Sequence, residues 1–233
     1  MRSFQDFFKN RRETWIVGGF FLLISLAIFA QFPLQGSLPG NTDTLLAISL
    51  SNQILQKVGA FFAGHFSDPT VLYPSSGVLA YGENCYGLAA LFVVFELLTQ
   101  SEIVGYYLFI STIFALNGFA VTRLALSFVG DLRAAVLAGL AFTFSGFVLG
   151  NVDDPNVVFV FFPVKAFVYL IRGLRQKDPR ALCIGCLFSG LQIWFGFYLF
   201  VYQSFLLVLL LLALFVIDFR SLRSFVLSRS FRS

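Results

Sequence analysis

The sequence is poor in charge. Only 12% of its 233 residues are Asp, Glu, Lys or Arg, whereas a soluble globular domain has about a quarter. Hydrophobic residues make up 58% of the chain. This balance excludes an ordinary soluble domain, and the apolar runs are continuous rather than alternating, which excludes a β-barrel. The predicted fold class is an all-α polytopic membrane protein.

Cysteine and histidine are also scarce, with three and one residues. Cys85 has no evident partner. Cys183 and Cys186 have CxxC spacing but lie inside an apolar run, where packing of small residues between helices is favoured over redox chemistry. The sequence therefore gives no convincing disulfide framework.

Six apolar runs follow one another along the chain. They cover 15–33, 87–99, 104–122, 134–150, 157–171 and 181–217. The last run is too long for one span, which needs about 20 residues, so it predicts a helical hairpin turning near 194–197. The first run is longer than the apolar core of a signal peptide, and we expect an uncleaved first span.

Basic residues collect between these runs, which is the pattern of cytoplasmic loops in membrane proteins. The net charge of +4 therefore does not indicate binding to nucleic acid. The basic segments agree on one side of the membrane only if 87–99 does not cross. That run is short and carries Glu96, which favours a re-entrant or interfacial helix. The alternative, in which it crosses, would break the positive-inside pattern at three segments.

The predicted organisation is about six transmembrane helices plus juxtamembrane helices in a long first outer loop. Its parts are a cytoplasmic N-terminus (1–14), a transmembrane module (15–218) with outer loops at 34–103 and 151–156, and a basic cytoplasmic tail (219–233) at which we expect the chain to be truncated. An amphipathic helix is predicted at 44–62, within the first outer loop.

Acidic residues, 12 in all, gather at the predicted outer surface. Asp43 opens the first outer loop, and Asp153 and Asp154 form the second. Carboxylates flush with a bilayer are costly unless they pair, bind a metal or do chemistry, so the two loops predict an active site at the membrane surface. Candidate substrate-binding residues in the first loop are His65, Asp68, Tyr73 and Glu83.

From about residue 10 to 200, the pattern resembles the N-terminal half of GT-C-type glycosyltransferases. These have one span, a long outer loop opening with an acidic residue, two more spans and a short acidic outer loop. The segments 68–74 and 80–84 are similar to the first outer loop of the bacterial YfhO-like branch, and 133–142 resembles its third span. The second motif, Asp-Asp-Pro at 153–155, departs from the Asp-x-Asp of oligosaccharyltransferase-like members.

The resemblance implies sugar transfer from a polyprenyl-phosphate-linked donor to a cell-envelope acceptor. The membrane would be the bacterial inner (plasma) membrane, with both termini cytoplasmic and the chemistry on the outer face. The implied partners are the lipid-linked sugar donor, the envelope glycan acceptor and membrane lipids, with no nucleic acid. Asp43 would be the catalytic base, and Asp153 and Asp154 would hold Mg²⁺ or Mn²⁺ or act on the phosphate.

Each candidate also has a structural explanation. Asp43 is equally suited to cap a helix that starts at Thr44. Asp153 and Asp154 precede Pro155, a common first residue of a helix, and the segment around His65 reads as a solvated loop. Lys165, inside the run 157–171, is a functional candidate by default, although snorkelling to the cytoplasmic interface near Arg172 is favoured.

Two other classes of protein fit the composition. A lipid or glycan transporter or flippase would carry ionisable residues or broken helices near the membrane midplane, and a non-catalytic membrane scaffold would suit the short length. The pair Gly146 and Gly150 is interpreted as a helix-packing notch without a further role.

Overall fold

The computed structural model of the protein describes residues 11–36, 38 and 86–226. Throughout these ranges the regular structure is helical and no strand occurs. The helices are α1 (Arg11–Phe29), α2 (Gln31–Gln35), α3 (Tyr86–Thr99), α4 (Glu102–Val129), α5 (Leu132–Thr143), α6 (Gly146–Gly150), α7 (Pro155–Val158), α8 (Phe161–Gln176), α9 (Pro179–Phe195) and α10 (Phe197–Val226). The predicted all-α class is confirmed for this part of the chain.

Four helical segments of the described chain are long and apolar enough to cross a membrane. They are Glu13–Gln35, Glu102–Val129, Leu132–Gly150 and Pro155–Leu174. The third combines α5 with α6, and the fourth combines α7 with most of α8. The apolar parts of α3, α9 and α10 are shorter. These lengths support a multi-pass helical membrane protein.

The helix α4 is the centre of the bundle, with α1, α3, α5 and α8 packed against it. Helix α1 runs antiparallel to α4. The Tyr107 hydroxyl, near the start of α4, donates a 2.9 Å hydrogen bond to the carbonyl of Leu26 near the end of α1. Further along, a Cβ added at Gly118 would lie only 2.2 Å from the Phe21 ring. A glycine is therefore required where the Phe21 ring packs against α4.

An aromatic cluster fills the space around the first half of α4. The side chains of Tyr106, Phe109 and Phe114 are completely buried. Phe92 of α3 lies 5.6 Å from Phe109 between ring centroids, and Phe29 of α1 lies 4.7 Å from Phe114, both edge-to-face. Because lipid tails are as apolar as these rings, close packing rather than exclusion from water holds the helices together here.

The ends of α4 and the start of α5 follow from local sequence. The Ser101 hydroxyl caps α4 by accepting a backbone N–H of its first turn. Gly130 ends the helix with φ of 73°, a left-handed conformation that glycine adopts without strain. Asp131 follows at once and caps α5 by accepting two backbone N–H groups. The chain therefore reverses within two residues, and α5 returns along α4.

The short run 87–99 forms α3, a helix of 14 residues beside the first half of α4. The two helices run antiparallel, since a Cβ added at Gly105 of α4 would lie 3.2 Å from the backbone of Glu96. The opposite end of α3 meets Phe195, whose ring lies 2.6 Å from a Cβ added at Gly87. The prediction that this run does not cross the membrane stays a prediction. The predicted helix at 44–62 lies outside the described residues.

The predicted hairpin within 181–217 is confirmed. Helix α9 ends at Phe195 and α10 begins at Phe197. The Gln203 amide donates a 2.6 Å hydrogen bond to the Ser189 hydroxyl. These residues lie seven positions on either side of Gly196, so the chain must double back there.

Two packing predictions made from small residues are wrong in the described structure. Gly146 and Gly150 face open space, with nothing within 4 Å of an added Cβ. Cys183 and Cys186 are exposed rather than packed between helices. Helix α9 instead presents Gly185 to Leu170 of α8. The spacing of small residues showed which residues share one face of a helix. Which face is packed depends on the helices that lie beside it.

Candidate functional site

The second acidic loop lies in a turn between two short helices. Helix α6 ends at Gly150, and α7 begins at Pro155. Asp154 occupies the N-cap position of α7 but makes no capping hydrogen bond with its side chain. The predicted helix start is therefore correct in position, and the Asp154 carboxylate is not used as a cap. Its Oδ1 atom is closed off from solvent.

The turn is fixed to the start of α4 by one long-range hydrogen bond. The buried hydroxyl of Tyr106 donates to the carbonyl of Val152 over 3.0 Å. The Tyr106 ring also faces Phe32 of α2, 6.4 Å away between centroids. Val152 and Leu38 both pack against the aromatic cluster that contains Tyr106. The chain leaving the first span and the second acidic loop therefore meet at the same end of the bundle.

Only part of the predicted site lies within the described residues. Asp153 and Asp154 are placed there, next to each other in the turn. The other candidates lie outside the described residues: Asp43, His65, Asp68, Tyr73 and Glu83. The meeting of Asp43 with Asp153 and Asp154 thus stays a prediction.

The residues that the structure describes contain no cluster of three or more His, Cys, Asp or Glu side chains that could hold a metal ion. Asp153 and Asp154 alone are two adjacent carboxylates. Mg²⁺ is commonly held by one or two carboxylates together with substrate phosphates and waters. The donor atoms fit that chemistry, while a closed all-protein cage would need ligands from outside the described residues.

A second polar feature lies deeper in the bundle, where the fourth candidate span is broken. The backbone leaves the helix between Val158 and Phe161. Asn117, fully buried near the middle of α4, binds both sides of the break. Its side-chain amide donates 2.6 Å to the carbonyl of Val158, and its oxygen accepts the N–H of Val160 at 3.1 Å. One side chain thus binds a donor and an acceptor at the break, and these two groups also hydrogen-bond to each other over 2.9 Å.

The hairpin between α9 and α10 turns beside the same break. A Cβ added at Gly196 would lie 2.9 Å from the carbonyl oxygen of Asn156, and the Phe195 ring lies 5.2 Å from that of Phe159. Gln192, also fully buried, donates to the Gly196 carbonyl. Helix ends and buried amides are therefore concentrated around residues 156–160.

Sequence reasoning missed Asn117 and Gln192. A signal was present, because each is an uncharged polar residue within an otherwise apolar run, and such residues in membrane helices usually hydrogen-bond across helices. Their partners lie on the backbone at and beside a helix break. The apolar run 157–171 contains no sequence signal for that break.

Lys165 is buried, with 6% of its side chain exposed. Its Nζ lies 5.1 Å from the centre of the Phe119 ring and 5.4 Å from that of Phe161. Phe161 is one turn earlier in α8, so the ammonium points away from Arg172. The predicted snorkelling is wrong in this structure, because the ammonium lies against two aromatic rings inside the bundle. Arg123 lies over the same Phe119 ring, 5.3 Å from its centre.

Comparisons with known proteins found no matching family model, no matching curated protein and no matching solved structure.

Proposed function

We propose that the chain is a membrane glycosyltransferase of the GT-C type, similar to the YfhO-like branch. It would transfer a sugar from a polyprenyl-phosphate-linked donor to a cell-envelope acceptor on the outer face of a bacterial inner membrane. The observation that carries the proposal is the contact of Tyr106 with Val152. It joins the acidic turn at Asp153 and Asp154 to the end of the bundle from which the first outer loop leaves.

The length of chain between Leu38 and Asp43 supports a shared site. Leu38 packs against the aromatic cluster at that end, as Val152 does. Five residues of chain reach at most ~18 Å when fully extended. The chain length therefore keeps Asp43 within about 18 Å of Leu38, which is compatible with a site built from both loops.

In the proposed reaction, the acceptor hydroxyl attacks the anomeric carbon of the donor sugar. The bond from that carbon to the phosphate oxygen breaks, and polyprenyl phosphate leaves with the electron pair. Asp43 takes the proton of the acceptor hydroxyl, as a general base within hydrogen-bond reach would. Asp153 and Asp154 are the residues that would hold Mg²⁺ or Mn²⁺, which neutralises charge on a phosphate when bound.

The proposed topology has six spans with both termini cytoplasmic. The α9–α10 hairpin adds two spans to the four candidate spans, and its tip packs against Asn156, two residues after the acidic turn. Helix α3 stays on the outer side in this topology. This order of spans keeps every basic segment on the cytoplasmic side of the membrane, in agreement with the positive-inside pattern.

A lipid or glycan transporter is the second candidate, and the break between α7 and α8 favours it. Transporters build substrate sites near the membrane midplane from discontinuous helices. Asn117 holds such a break near the middle of the 28-residue α4. A transporter would use the buried polar groups there, whereas the enzyme would use the acidic turn.

One experiment separates the two candidates. Proteoliposomes containing the full chain and lipid-linked sugars extracted from the source cells are assayed for sugar transfer and for movement of the lipid across the bilayer. Transfer that is lost in both Asp43→Asn and Asp154→Asn supports the enzyme. Translocation without transfer, lost in Asn117→Leu and kept in the Asp variants, would overturn it in favour of the transporter.

A further inference from the structure

A groove runs between α1 and α4 on the side of the bundle away from the acidic turn. Its volume is about 420 Å³, within the ~300–1,000 Å³ typical of ligand sites. From α1 it is lined by Trp15, Gly18 and Leu22, and from α4 by Leu116, Phe119 and Arg123. The wall is apolar apart from Thr112 at one end and Thr14 and Arg123 at the other. Since the helices are antiparallel, the start of α1 lies at the Arg123 end.

The groove exists because a side chain is missing from α1. No atom of the described residues lies within 4 Å of a Cβ added at Gly18, although Gly18 lines the groove. Along α1 the groove extends from Thr14 to Leu22, about 12 Å at 1.5 Å per residue. A narrow apolar channel of this length suits an extended hydrocarbon chain.

Positive charge gathers at one end of the groove. Arg123 and Lys165 each lie within 5.3 Å of the centre of the Phe119 ring, and Phe119 lines the groove. Helix α1 begins at that end with Arg11 and Arg12 in its first turn. Glu13 is the one acid of that turn. Arg123 lines the groove and Lys165 lies against the same ring, and these two cations are complementary to an anionic group whatever other partners they have.

An apolar channel that ends among cations matches an amphiphile with an acidic head and a long tail. Basic sites between transmembrane helices on the cytoplasmic side bind acidic lipid headgroups, and the basic start of α1 is the predicted cytoplasmic end. Trp15, 79% exposed beside the groove, belongs to a residue type enriched at the membrane interface. A free anion would gain nothing from the apolar channel.

We propose that the groove between α1 and α4 binds one anionic phospholipid of the cytoplasmic leaflet, with an acyl chain along Gly18 and Leu22 and its phosphate beside Arg123. This site is separate from the acidic turn, and the proposal does not depend on sugar transfer. The lipid would fix α1 against the rest of the bundle.

The test uses the purified full-length chain in detergent, with bound lipid measured by native mass spectrometry. Phosphatidylglycerol and phosphatidylcholine with identical acyl chains are added in competition. We expect phosphatidylglycerol to be preferred by about fivefold or more for each cation it contacts. Equal retention of the two lipids would overturn the proposal.

The matched variants are Gly18→Leu and Gly19→Leu. Both glycines lie in α1 and both have open space around an added Cβ, but only Gly18 lines the groove. We expect Gly18→Leu to lose at least tenfold in phosphatidylglycerol binding and Gly19→Leu to bind as the unaltered chain does. Equal binding by both variants would overturn the proposal.

A third variant and two competitors complete the experiment. Arg123→Gln keeps the channel and removes the charge, so the preference for phosphatidylglycerol should fall while total lipid binding persists. If the Arg123→Gln variant keeps the full preference for phosphatidylglycerol, the proposal is contradicted. This test holds even if the Gly18→Leu variant does not fold. Displacement by millimolar inorganic phosphate would show an anion site alone, and displacement by polyprenyl phosphate at lower concentration would assign the groove to that lipid instead.

Discussion

The Tyr106 hydroxyl donates a 3.0 Å hydrogen bond to the carbonyl of Val152, 46 residues further along the chain. The bond crosses from the start of α4 to the turn that carries the second acidic pair. Tyr106 is also completely buried among aromatic rings. The position of Asp153 and Asp154 therefore depends on a residue that carries no chemistry of its own in the proposed reaction.

Tyr106→Phe should loosen this turn. The substitution removes the donor of this bond to the half-buried Val152, at a cost of about 0.5–1.5 kcal/mol in the free energy of unfolding. We expect a lower Tm in detergent and faster thiol labelling of an Asp153→Cys background. Tyr107→Phe is the matched control, because it also loses a tyrosine hydrogen bond, to Leu26 in α1. Equal labelling in the two variants would contradict the role assigned to Tyr106.

Asn117→Leu should destabilise the bundle strongly, because one side chain serves two backbone groups of another helix. Its loss removes two hydrogen bonds, each worth about 0.5–1.5 kcal/mol, and leaves the Val160 N–H and the Val158 carbonyl only the 2.9 Å bond that they make with each other. Ser111→Ala in the same helix is the control, since Ser111 is fully buried and its hydroxyl makes no hydrogen bond to any described residue. Thermal unfolding in detergent measures both. A drop in Tm no larger for Asn117→Leu than for Ser111→Ala would be incompatible with this account.

Lys165→Met should leave stability unchanged or raise it. Burying a cation costs several kcal/mol. A cation–π contact that is shielded from water stabilises by about 2 kcal/mol or somewhat more. Methionine keeps the apolar stem and removes the charge. Lys177→Met, at the exposed end of α8, is the control and should change Tm little. A Tm lower for Lys165→Met than for Lys177→Met would mean that the ring contacts outweigh desolvation.

Topology can be tested by thiol labelling from outside. Ser76→Cys lies in the predicted outer loop and Gln176→Cys at the exposed end of α8, each in a chain with its native cysteines replaced, because Cys183 and Cys186 are exposed. We expect a membrane-impermeant maleimide to label position 76 in intact cells and position 176 only after the membrane is opened. Labelling of both without opening would refute the proposed orientation.

The elements that sequence could predict are those decided locally. The hairpin at Gly196 follows from an apolar run too long for one span, and Ser189 with Gln203 confirms it. The break after Val158 could not be predicted, because the chain there is apolar and β-branched. It is held by Asn117, 41 residues earlier. Similarly, the burial of Lys165 depends on Phe119 in another helix. The sequence alone shows only that Lys165 precedes Arg172 by seven residues in the same run.

The Asp43→Asn substitution is the most direct test of the proposed chemistry. Asp43 opens the first outer loop, where the resembled family has its catalytic acid, and lies five residues after Leu38. Asparagine caps a helix about as well as aspartate, but it cannot accept the acceptor proton as a base. We expect the variant to insert normally and to lose sugar transfer by about 10²–10⁴-fold, the usual contribution of general-base catalysis.

The measurement is the envelope glycan made in cells that carry Asp43→Asn in place of the original gene, compared at equal protein level. Asp43→Ala is the second variant, because alanine removes both base and cap. If Asp43 is the base, Asn and Ala should abolish the glycan alike, and only Ala should lower Tm. If Asp43→Asn makes the glycan at the original level while Asp43→Ala is unstable, the residue is a helix cap and the catalytic assignment is wrong.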